Sequence, residues 1–125
     1  MKEMKKIVLL FVVAIFSIVT KAQAQKLVKT VALEQTNGEF TQKSLTLSEG
    51  TYVFEIANTG VDHEVGFVLA PKGKVDQANH IKEAYVKSAV KTNSKSKTQE
   101  VKLKKGEYVY FCPLNPTPQY SLVVQ

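Results

Sequence analysis

Two stretches of the chain share one construction, and that repetition constrains the fold more than any other feature of the sequence. Leu47-Ser48-Glu49-Gly50-Thr51-Tyr52-Val53-Phe54 and Leu103-Lys104-Lys105-Gly106-Glu107-Tyr108-Val109-Tyr110 both read L-x-x-G-x-Y-V-aromatic. In each, an alternating segment ends in leucine, a polar turn containing glycine reverses the chain, and an aromatic-rich alternating segment follows. Side chains of a strand point alternately to its two faces, so such a run buries one face and leaves the other to water. Two strand-turn-strand units built alike are expected to fill corresponding places in the two halves of a Greek-key sandwich. One pair cannot make a solenoid, which needs several stacked repeats.

The remaining segments fit that plan. Residues 26–33 alternate, with Leu27, Val31 and Leu33 on the parity of Lys29, and predict an opening strand near a sheet edge. Residues 34–38 are polar and end in Asn37-Gly38, a strong hairpin signal. Residues 40–47 predict a second strand, and residues 51–57 a third with Tyr52, Phe54 and Ile56 inward. Asn58-Thr59-Gly60 stops it, after which His63, Val65, Phe67 and Leu69 share one face of the next strand. Over residues 75–90 the period changes: Val75, Ala78, Ile81, Tyr85 and Ala89 recur at three- and four-residue steps, predicting one helix across the side of the sheets. Residues 91–98 are polar and lysine-rich and predict a solvated loop. Strands over 99–103, 106–112 and 121–124 complete an all-β chain of about seven strands with one inserted helix, in two packed antiparallel sheets.

The N-terminus sets the compartment. Lys2, Lys5 and Lys6 precede an apolar run over residues 7–19, and Ala22-Gln23-Ala24 follows as a small-residue cleavage site, the three regions of a secretory signal. The run is short for a bilayer span. Residues 1–24 are therefore expected to be a signal peptide cleaved after Ala24, and residues 25–125 one exported domain, periplasmic or secreted, with no membrane attachment after cleavage. Of 17 basic and 11 acidic residues, the signal removes Lys2, Lys5, Lys6, Lys21 and Glu3, leaving 13 against 10, a net charge of +3. Those lysines are scattered and form no basic groove, which argues against a nucleic-acid partner. A single cysteine, Cys112, cannot close an intramolecular disulfide, so in an oxidising compartment it is expected to be buried, metal-bound, reactive or paired with another chain.

Cys112 ends a strand on the face shared by Tyr108 and Tyr110. Pro113, Pro116 and Pro118 then exclude helix and central strand from the loop that follows. Taken singly, Cys112 suits a small buried hydrophobe, and His63 a hydrogen-bonded residue at a strand end. Taken together, Asn58 with His63-Glu64-Val65-Gly66-Phe67, and Gly106-Glu107-Tyr108-Val109-Tyr110-Phe111-Cys112, are similar to the N-x(n)-H-x-V-x-F and G-x-Y-x-Y-x-C motifs of the cupredoxin family. The resemblance covers residues 47–68 and 103–125. It implies a cupredoxin-like Greek-key sandwich, copper as cofactor, and His63 and Cys112 as ligands, with His63 Nδ1 and Cys112 Sγ within about 4 Å of each other. A blue-copper centre joins two histidines and a cysteine to a weak axial methionine. In the short-loop pattern C-x-x-H-x-x-M, this sequence places Asn115 at the second histidine and Pro118 at the methionine.

Asn115 and Gln119 could offer amide oxygens, poor partners for a soft thiolate-bound ion, and His80 could reach the loop if the inserted helix folds over it. Two readings follow. In one, the protein binds copper through Cys112 and His63 and serves electron transfer or copper handling with an exported redox or copper-handling partner. In the other, it is a metal-free binding module whose proline loop, flanked by Tyr110 and Tyr120, presents a rigid aromatic-edged surface. A Cys-His enzyme is the weakest reading: nothing orients the pair, and Cys112 does not sit at a helix N-terminus.

Overall fold

The computed structural model describes residues 27–125; the expected signal peptide and its cleavage site lie outside them. Nine strands are found among the described residues: β1 (Val28–Thr36), β2 (Glu39–Phe40), β3 (Ser44–Leu47), β4 (Gly50–Asn58), β5 (Val68–Pro71), β6 (Lys95–Lys97), β7 (Val101–Leu103), β8 (Gly106–Phe111) and β9 (Tyr120–Val124). They form two facing sheets. The first has the order β2-β1-β4-β6, with β7 also on β4, and the second the order β3-β9-β8-β5.

The repeated construction occupies the expected places. Leu47 ends β3 and Gly50 opens β4 in the first unit, while Leu103 ends β7 and Gly106 opens β8 in the second. Both units bridge the two sheets, since β3 and β8 lie in one and β4 and β7 in the other. The sandwich is thereby stitched at both turns. Alternation then fills the space between: Tyr52, Phe54 and Ile56 from β4, Tyr110 from β8 and Cys112 just after it are all buried. Phe40 meets Tyr110 edge-on with ring centroids 5.1 Å apart, and Phe54 lies 5.3 Å from Phe67. Pairs of this kind add about 0.5–1.5 kcal/mol each beyond the area they bury.

Several expectations are corrected. The sheets are mixed instead of antiparallel, because β1 runs parallel to β4 and β3 parallel to β9. The expected second strand splits into β2 and β3, which belong to different sheets. Phe40 is drawn into the core while the exposed Thr41 and Lys43 carry the chain around the corner, as strands that switch sheets do. The strand expected from His63 begins at Val68, and Val65 makes an isolated bridge to Val90. β6 lies within the expected lysine loop: Lys95 and Lys97 reach Glu55 at 4.0 and 3.9 Å.

The inserted helix over residues 75–90 is replaced by two single-turn 3₁₀ helices, Gln77–Asn79 and Lys82–Ala84. Backbone bonding to the sheets competes with helix formation here. Ile81 N donates to Leu69 O on the β5 edge, Lys87 N to Lys97 O, and Val65 and Val90 exchange N–H···O bonds of 3.0 and 2.8 Å. The segment closes the side of the sandwich as expected, with Ala84 buried and Ile81 packed on the core.

Candidate functional site

The site region is the end of the sandwich where the 112–118 loop meets the β1–β2 turn. The loop is closed on itself: Thr117 N donates to Cys112 O at 3.2 Å, and Cys112 N donates to Thr117 Oγ1 at 2.9 Å. The Thr117 hydroxyl in turn donates to Pro118 O. Prolines supply no N–H, so threonine provides the bonds that hold this turn.

Asn115 anchors the loop to the first sheet. It is 3% exposed, and its Oδ1 accepts from Gly38 N at 2.8 Å. Its Nδ2 donates to Gln35 Oε1 at 3.1 Å and to Thr36 O at 2.8 Å. Gln35, also buried, donates from Nε2 to Gly66 O at 2.7 Å. Gly66 N donates to Cys112 Sγ at 3.3 Å. A continuous polar chain thus runs from the β1–β2 turn through Asn115, Gln35 and Gly66 to the thiol. No buried side-chain nitrogen or oxygen among the described residues lacks a partner. Each such bond contributes about 1 kcal/mol net, and breaking one end of a buried pair costs more than the bond is worth. The burial of Gln35 is masked in the sequence because it falls among polar turn residues. Its signal was parity, since it continues the inward series of Val31 and Leu33.

The other expected donors are placed as follows. Cys112 is fully buried. His63 is exposed, on a loop fixed by Asn58, whose Nδ2 donates to His63 O and Val90 O and whose Oδ1 accepts from Val61 N. His63 Nδ1 lies 2.9 Å from Glu64 O. A carbonyl only accepts, so Nδ1 carries a proton there. His80 is half-buried with both ring nitrogens engaged, Nε2 on Val75 O at 2.9 Å and Nδ1 on Tyr85 Oη at 2.7 Å. Its ring meets Phe111, on the strand face opposite Cys112. Gln119 is exposed.

The donor set does not fit a blue-copper centre. Such a site needs two imidazoles beside the thiolate. The amide at the second histidine position is spent on three hydrogen bonds, and the other histidine of the domain is pinned across the sheet. No group of three or more His, Cys, Asp or Glu residues that could hold a metal gathers among the described residues. The Cys112 sulfur is shut off from solvent and accepts a hydrogen bond from the Gly66 backbone N–H.

The aromatic edge expected on the loop is also redistributed. Tyr110 is fully buried and donates to Gln42 O at 2.6 Å, and Tyr120 is half-buried with its hydroxyl accepting from Phe40 N. Burial, then the nearby Tyr120, pushes the Tyr110 phenol up to about 12. Instead, Leu114 stands out at 56% exposure. With Pro113, Gly66, Tyr85, Val86 and Ala89 it lines a shallow apolar groove of about 250 Å³ between the loop and the side segment.

The pattern of the cupredoxin-like domain matches residues 7–124. Among solved structures, the fold is similar to auracyanin A, a "blue" copper protein from the green thermophilic photosynthetic bacterium Chloroflexus aurantiacus. Identity is 18%, the TM-score 0.65, and the match covers 79% of this chain and 100% of that one. It is similar to reduced auracyanin from Roseiflexus castenholzii at 14% identity and a TM-score of 0.60, covering 77% and 96% of the two chains. Amicyanin from Paracoccus versutus matches at 16% identity and a TM-score of 0.52, covering 77% and 81%. At these identities the likeness establishes the fold. Among curated proteins no sequence match was found.

Proposed function

The chain belongs to the cupredoxin-like domain family, and we propose that it is an exported member working as a binding module without a resident metal. The observation that carries this reading is the commitment of Asn115. At the position where the family resemblance puts the second histidine, the amide gives two hydrogen bonds to the end of β1 and accepts one from the β1–β2 turn. These bonds hold the loop in shape, a task that metal ligation would otherwise share. A loop fixed in this way presents Pro113 and Leu114 beside the apolar groove already ordered, which lowers the entropic cost of association. The groove suits an apolar side chain from an exported partner protein, and the mature charge of +3 favours an acidic approach surface.

Copper handling or electron transfer through Cys112 and His63 is the second reading. Three observations favour it: the two residues stand in the order of the family motifs, a backbone N–H is already on the sulfur, and the similar solved structures include a blue copper protein. Anaerobic titration of the mature protein with Cu(I) and Cu(II) separates the two. The binding module shows no thiolate-dependent absorption and melts at the same temperature with chelator. A charge-transfer band that disappears in Cys112→Ser would overturn it in favour of copper. On the module reading, Leu114→Asp changes stability by less than about 0.5 kcal/mol yet abolishes recovery of a specific exported partner; recovery equal to wild type places binding elsewhere.

A further inference from the structure

The Asn37-Gly38 pair carries a reaction of its own. When glycine follows asparagine, the glycine backbone nitrogen can attack the asparagine side-chain carbonyl carbon. The nitrogen gives up its proton, the bond to the side-chain amide breaks, ammonia leaves with that proton, and a five-membered succinimide remains. Water then opens the ring to aspartate or isoaspartate. Water is the only co-reactant, and glycine is the most permissive neighbour because no Cβ crowds the attacking nitrogen.

Both residues are open to solvent. Asn37 and Gly38 form the exposed two-residue turn between β1 and β2, Gly38 has a φ of 73°, and nothing lies within 4 Å of where its Cβ would be. The attacking nitrogen, however, is not free: Gly38 N donates to Asn115 Oδ1 at 2.8 Å. Asn115 cannot turn that oxygen away cheaply, because both of its Nδ2 bonds, to Gln35 Oε1 and Thr36 O, would be lost with it. The Gly38 nitrogen must break this bond before it can be deprotonated and swing onto the Asn37 carbonyl.

We propose that Asn37 is a site of spontaneous deamidation and that the hydrogen bond from Gly38 to Asn115 holds the reaction in check. The product matters to the loop. Isoaspartate inserts a methylene into the backbone of a turn whose flanking register, Gln35 opposite Phe40 and Thr36 opposite Glu39, leaves no slack. The Gly38 link to Asn115 is lost with the register, so the modification releases one of the bonds that fix the 112–118 loop. This inference is independent of whether the loop binds a partner or copper.

Peptide mass mapping of the mature protein after incubation at mildly alkaline pH tests it, with a synthetic peptide of residues 32–42 as the unrestrained reference. Wild type deamidates at Asn37 far more slowly than the peptide, and Asn115→Ala raises the protein rate by roughly fivefold to tenfold, the scale of one lost hydrogen bond. Thr117→Val, which loosens the same loop without touching Gly38, stays near wild type. A folded Asn115→Ala protein that deamidates at the wild-type rate overturns the proposal, because the turn geometry alone then protects Asn37. An equal acceleration in Thr117→Val also overturns it. Should Asn115→Ala fail to fold, amide exchange in wild type decides: the Gly38 amide is expected to be protected, and a Gly38 amide exchanging at the peptide rate sinks the idea.

Discussion

At the scale of single residues, the polar side chains at the loop end have structural partners where family resemblance would put ligands. Asn115 shows how one atom type changes a site: an imidazole offers a metal a lone pair, whereas this amide is used up by two backbone groups and one glutamine. Tyr110 makes a prediction of its own. Its phenol is raised to about 12 by burial, above the ordinary value near 10, so the folded state favours the neutral form. The stabilisation is therefore complete below about pH 10 and is lost as pH rises toward 12 and beyond. Denaturant titrations at pH 9 and pH 11.5 should show wild type losing more stability over that interval than Tyr110→Phe, which has no phenol to ionise. Equal losses would mean that the Tyr110 phenol has no part in alkaline unfolding. Residue roles were only partly legible. Alternation put Tyr110 and Cys112 on one strand face but did not reveal that Tyr110 is buried, and the pinning of His80 required knowing that residues 75 and 85 come within reach of one ring.

At the scale of elements, the side segment over residues 72–94 departs furthest from expectation. Its apolar spacing fits a helix, and its residues do turn an apolar side inward at Ile81 and Ala84. Helical hydrogen bonds nevertheless lose to bonds with β5, with β6 and with Val65, because an isolated helix of this length is marginal in water while two sheet edges stand beside it. His80 ties the segment internally. His80→Ala is expected to lower global stability by about 1–2 kcal/mol and to speed amide exchange across residues 75–85 first, as a local opening. Unchanged exchange there would show that the Ile81 bond to Leu69 suffices. β6 escaped notice for the opposite reason. Lys-Ser-Lys has no apolar pattern to detect, and it becomes a strand because β4 presents a free edge and Glu55 a charge between the two lysines.

At the scale of the whole molecule, the fold depends on the strand that changes sheets. Phe40 sits where β1, β8 and β9 meet, edge-on to Tyr110, Tyr120 and Phe67. Phe40→Ala should cost about 3–5 kcal/mol in urea unfolding. A loss below about 1 kcal/mol would mean the corner collapses around the vacancy. The sequence by itself determined the all-β class, the two strand-turn-strand units, and the faces of β4 and β8, because alternation and glycine turns are local signals with a fixed period. Tertiary structure decided which edges pair in parallel, whether residues 75–90 coil, and what Asn115 does. Each of these depends on partners distant in the chain: Asn115 bonds Gly38 and Gln35 across the sandwich, and nothing in the spacing of a cysteine, three prolines and an asparagine announces which backbone groups will lie opposite.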